Sequence, residues 1–172
     1  MIQEKKVVLE SDLEQVYKDG DHYFIINKKD IVCVIPYTLD EGGLLDKIGV
    51  LEFFNDEERK TSLTLLKNYL SADDSTNLVG ANRVLYEVSG INITEGARWM
   101  YLGALSVSMY SDSPVRVYAV NLSQMEFQDT VMDPETKKRF KMLDSREVAQ
   151  SDDLLFLGAF ARLFNFFASQ IR

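Results

Sequence analysis

The chain has 172 residues, 46% of them hydrophobic and 27% charged, with a net charge of −8. That balance gives a globular chain with its own core and argues against both disorder and a dedicated nucleic-acid binder, which needs lysine and arginine to neutralise phosphates. No apolar run reaches the ~20 residues of a membrane helix, and the first ten residues lack a signal-peptide core, so a cytoplasmic protein that binds neither membrane nor nucleic acid is expected.

The first half reads as strands. Lys6–Glu10, His22–Asn27 and residues 31–37 are strand-like, and residues 27–30 read as a hairpin connection between the last two. The run Ile31-Val32-Cys33-Val34-Ile35 is wholly apolar, as in a central strand buried on both faces. Cys33 is the single cysteine, so it forms no internal disulfide and reads as packing. A fourth strand over residues 48–54 is entered through Gly42-Gly43.

Helix signals come next. Asn55 can cap a helix with Glu58 reaching back, and Leu63, Leu66 and Leu70 then fall on one face beside Tyr69. A second helix is expected over residues 76–89, with Asp73, Asp74 and Ser75 at its start and Gly90 as its stop. Strands return at Trp99–Leu105 and residues 115–122. A hairpin follows, with arms over residues 125–132 and 139–143 around Asp133-Pro134-Glu135, and Lys137-Lys138-Arg139 reads as its solvated end. A last helix spans residues 152–171, with Ser151, Asp152 and Asp153 at its start. The order gives an α/β (α+β) class, a mixed β-sheet covered by helices, in one domain over residues 1–172.

Most catalytic constellations are missing. His22 is the single histidine, so no zinc cluster or histidine-based triad can be assembled from several histidines. No phosphate-binding glycine loop is present, and Ser106-Val107-Ser108, at a strand end, has no base near it in sequence.

One segment carries a motif. Ala81-Asn82-Arg83-Val84-Leu85-Tyr86-Glu87-Val88-Ser89-Gly90-Ile91 resembles the end of the signature of the Nudix hydrolases, with Arg83, Leu85, Glu87, Gly90 and Ile91 in register. The resemblance implies a Nudix-like α/β/α sandwich and, in the family, carboxylates on this helix that hold Mg²⁺ against a diphosphate. Here the glutamate positions beside the arginine and after Glu87 are Val84 and Val88, and the early glycine and glutamate fall at Tyr69 and Ser75. Mg²⁺ requires hard oxygen ligands, which a valine pair cannot supply, and Arg83 and Glu87 are spaced for a helical ion pair. The expectation is a degenerate motif with no catalytic residue, no cofactor and no metal. The alternative is a divergent hydrolase that gathers Glu52, Asp73, Asp74 or Glu87 around Mg²⁺.

A fold without its chemistry should act by binding. The last helix carries apolar residues on nearly every side, so Phe156, Phe160, Phe164, Phe166 and Phe167 are expected to serve a contact with other protein subunits as well as the core. Phage particles recruit degenerate enzyme folds as ring, collar or tail adaptors, and an oligomeric virion subunit is the concrete form of this expectation.

Overall fold

A computed structural model describes residues 6–56, 59–106, 114–149 and 151–170. Three strands come first: β1 (Lys6–Glu10), β2 (Glu14–Asp19) and β3 (His22–Asn27) form an antiparallel sheet of their own in that order. Its β2–β3 hairpin turns at Gly20 with φ +59°, a conformation that glycine adopts without strain. Residues 27–30 therefore link two sheets rather than closing a hairpin.

The second sheet is built on β4 (Ile31–Leu39), which is buried along nearly its whole length as its unbroken apolar run requires. Cys33, Ile35 and Tyr37 enter one core and Val32 and Val34 the other, because successive side chains in a strand point to opposite faces. β5 (Leu45–Asn55) runs antiparallel to β4, and Gly49 lies where a Cβ would come within 2.8 Å of Pro36 and 2.9 Å of Phe140. Only glycine allows that approach.

The helix expected after Asn55 is instead two strands, β6 (Lys60–Thr64) and β7 (Leu66–Tyr69). β6 pairs with β5 and β7 with β4, so long-range pairing overrides the helical spacing of Leu63, Leu66 and Leu70. Leu63 and Leu65 turn to one core and Leu66 and Leu70 to the other, and Glu58, the expected capping-box residue, lies outside the described residues.

The helix with the motif is α1 (Asn77–Ser89). Thr76 caps it by accepting the Val79 N–H at 3.2 Å, and Gly90, at φ +74°, closes it by donating to the Tyr86 carbonyl at 2.8 Å. The cap is thus Thr76 and not Asp73, Asp74 or Ser75. A short 3₁₀ turn (Gly96–Arg98) leads into β8 (Trp99–Leu105), which pairs with β9 (Val115–Asn121), itself parallel to β4. Of Ser106-Val107-Ser108, the last two lie outside the described residues.

Residues 125–132 form no strand. They meet β10 (Lys138–Asp144) at isolated points, such as the Thr130 N–H on the Phe140 carbonyl, and β10 pairs with β5 instead. A short α2 (Ser145–Val148) precedes α3 (Leu154–Gln170). Asp153 caps α3 by accepting the Leu155 and Phe156 N–H groups, while Ser151 accepts the Asp153 N–H and donates to the Leu63 carbonyl. Residue 171, the expected helix end, lies outside the described residues.

The sheet order β10-β5-β4-β9-β8, with β6 and β7 set against β5 and β4, separates two cores. α1 packs on one face and α3 on the other, a mixed sheet between helices. Along α3, Phe156, Phe160, Leu163 and Phe167 form the inward stripe. Phe156 is fully buried and Phe167 meets Tyr37 edge-on at 5.3 Å. Phe156 is thus a core residue and cannot serve a partner face. Phe164 and Phe166 flank the stripe and are 56% and 36% exposed.

Candidate functional site

The motif residues of α1 divide by helical face. Ala81, Val84 and Leu85 are fully buried against Val32, Val34 and Leu66, and Val88 and Ile91 pack beside them. The two positions where the resemblance puts metal carboxylates therefore face the sheet: Val84 lies within the core and Val88 at its margin. Arg83 and Glu87 lie on the outer side.

Arg83 organises what remains. Its Nε and Nη2 donate to the two oxygens of Asp74 at 3.0 and 2.9 Å, Nη2 also donates to the Tyr69 carbonyl, and Nη1 donates to Glu87 at 2.8 Å. The planar guanidinium fits a carboxylate in this two-pronged way, where lysine would offer a point charge. Asp74 also accepts the Ser71 N–H at 2.7 Å, and Asn68 donates to Glu87 at 3.2 Å. The loop before α1 is thereby pinned to the helix. Gly80 makes room for it, since a Cβ there would lie 2.2 Å from Leu70 and 3.0 Å from Asp74. Tyr69 in turn donates its hydroxyl to Glu14 of β2 at 2.8 Å, and burial followed by that carboxylate pushes its phenol up.

The Arg83 hydrogen bond holds the Asp74 carboxyl below its usual range, against a smaller opposing effect of burial. A carboxylate whose folded pKa is depressed stabilises the protein above its unfolded value of about 4, and that contribution fades as pH falls through the folded pKa. The Asp74 side chain is 4% exposed and that of Arg83 27%, so replacing Arg83 with Met should cost roughly 2–3 kcal/mol at pH 7. Urea midpoints measured from pH 7 to pH 3 should show Asp74→Asn losing less stability on acidification than the wild type. Equal slopes would show that the pair carries no such linkage.

The acids of the alternative reading do not converge. Asp74 and Glu87 meet at Arg83, and Asp73 is exposed. Glu52 belongs to β5, where Arg139 binds it and Lys141 lies 3.8 Å away. Among the described residues, no three His, Cys, Asp or Glu side chains come together to hold a metal ion. His22 is exposed on β3, and burial pushes the Cys33 thiol up to about 12, which removes it as a nucleophile.

A concavity of about 800 Å³ lies over β5, β6 and β10 beside the start of α3. It is lined by Leu63, Leu65 and Leu143 of the core beneath α3 and by Leu51, which packs on the α1 side. The basic cluster at the base of β10 contributes to it: Lys138 lines the groove, Arg139 binds Glu52, and Lys137 reaches Asp56. Neither this groove nor the Asp74–Arg83 pair emerged from the sequence. Spacing alone pairs Arg83 with Glu87, four residues on, and not with an acid in the preceding loop.

No protein-family model and no curated protein sequence matches the chain. Solved structures do. An ADP compounds hydrolase superposes with a TM-score of 0.63 at 13% identity, covering 99% of this chain and 95% of its own. An Ap4A hydrolase from C. elegans, solved as a binary complex, does so with a TM-score of 0.56 at 12% identity, covering 82% and 98%. The chain has a Nudix-like fold.

Proposed function

We propose that this chain is a Nudix-like module that has lost magnesium-dependent hydrolysis and works by binding other protein subunits. One observation carries the reading: Val84 stands fully buried where the family resemblance asks for a metal-binding carboxylate. Glu87, which does match, is exposed and already paired with Arg83 and hydrogen-bonded by Asn68. Phe164 and Phe166, on opposite flanks of α3, and Leu154 at its start, 82% exposed, are apolar side chains left open to a protein contact. Inactive enzyme folds serve as adaptors in phage particles, and we assign this chain to that kind of role by analogy.

The test offers ADP-ribose and Ap4A with Mg²⁺ and follows product formation. We expect no turnover above the uncatalysed background. Turnover that disappears in the Glu87→Gln variant would establish the divergent hydrolase instead.

A further inference from the structure

We infer that the open face of the β1–β3 sheet is a docking surface for a second copy of this chain, separate from α3. Strand pairing sets Leu9 opposite Val16 and Val16 opposite Ile25, so these side chains form one apolar row across the sheet. Leu9 and Ile25 are 62% and 49% exposed, and Tyr23, further along β3 on the same face, is 58% exposed. The opposite face is better covered, since Tyr17, Phe24 and Ile26 are each half-buried. A sheet of three strands holds its shape in water by packing an apolar face, yet among the described residues this one sends no side chain into either core cluster. The edge of β1 is a poor place for a partner, because the bulge between Val7 and Leu9 disfavours a further strand.

The charges on that face select the occupant. On β2, Glu14 and Lys18 lie at equal distances on either side of Val16, and alternation along the strand puts all three on one face. Two such faces can stack about a two-fold axis that crosses the strands at Val16. Each Glu14 then stands over Lys18 of the second copy, while the apolar rows meet at the centre. Sheets pack about 10 Å apart, a gap that a glutamate and a lysine side chain bridge together. An axis along the strands would set Glu14 over Glu14, so charge favours the crossed arrangement. The lysine end lacks an acid of its own: Lys6 and Lys18 are directly opposed, a pairing that costs stability, and the Lys18 Nζ rests 5.5 Å from the centre of the Tyr23 ring. Glu14 keeps its charge, because its hydrogen bond comes from the neutral Tyr69 hydroxyl. Residues 6–29 carry four lysines and five acids in a chain of net charge −8, so two copies repel one another least here.

The experiment is sedimentation equilibrium of the full chain over a concentration series, with melting curves for every protein. The wild type should be a mixture of monomer and dimer in the micromolar range, since a face three strands wide is small for an interface. Lys18→Glu and Glu14→Lys should each weaken the dimer about tenfold or more, because each sets like charges together at both contacts. Mixed in equal amounts, those two variants should dimerise again, since in the mixed pair every contact joins opposite charges. Ile25→Asp, which leaves the Glu14–Tyr69 bond alone, should dissociate the dimer while the chain stays folded. Phe164→Asp should leave this dimer intact, so its failure is distinct from failure of a contact through α3. A wild type that is monomeric throughout, undiminished association of a folded Lys18→Glu or Ile25→Asp variant, or no recovery in the mixture would each overturn the inference.

Discussion

Putting back the two missing carboxylates, as Val84→Glu with Val88→Glu, should destabilise the protein severely rather than awaken magnesium chemistry. Val84 is fully buried between α1 and β4, among the apolar side chains of Val32, Val34 and Leu85. A carboxylate forced into such a place costs several kcal/mol, whether it stays charged or takes up a proton, and a domain has only about 5–15 kcal/mol in all. Val88 lies at the core margin, so Val88→Glu alone should cost about 1–2 kcal/mol, the range of an ordinary destabilising substitution. Denaturant midpoints for the two single variants and the pair measure this directly. A double variant that melts as the wild type does would mean that this face of α1 opens to solvent, and would return magnesium binding to consideration.

The second large effect belongs to α3. Phe156→Asp should unfold the domain, because it exchanges a fully buried ring for a charge and leaves a cavity beside Ala159 and Leu163, at a cost above ~4 kcal/mol. Phe164→Asp, at a position 56% exposed, should change stability by under about 1 kcal/mol while reducing the mass of any assembly that the helix supports. Phe166→Asp is the companion on the other flank. Light scattering and melting curves together separate the outcomes. A wild type that stays monomeric at high concentration, with both flank variants unfolded, would make the helix entirely a core element.

Legibility in the sequence followed how local each determinant is. β4 could be read because a strand buried on both faces must be apolar without interruption, and α1 because Gly90 is a conformational stop that few residues can replace. β6 and β7 could not be read. Leu63, Leu66 and Leu70 fit a helical period, yet the chain follows pairing partners on β5 and β4 that lie far off in sequence. Residues 125–132 also depart from the expected strand: they meet β10 through scattered bonds, several of them to the Asp129 and Thr130 side chains, while the continuous ladder of β10 is with the distant β5. In the site, Arg83–Glu87 was legible as an i,i+4 spacing. Asp74–Arg83 needs the loop to fold back over Gly80, a placement that no spacing rule encodes.

Among the described residues, the sheet of β1, β2 and β3 contributes no side chain to either core cluster, and the Tyr69–Glu14 hydrogen bond is one of its ties to the motif loop. Folding cooperativity comes from shared buried contacts, and substitutions without common neighbours add independently. Away from Glu14, changes on those three strands should therefore couple only weakly to the packing around β4. Such a sheet can drift in sequence, acquiring or shedding surface chemistry, while the scaffold behind it stays under the strict volume constraints of a two-faced core. The chain thus joins a frame held to tight volume limits with a sheet that carries few of them.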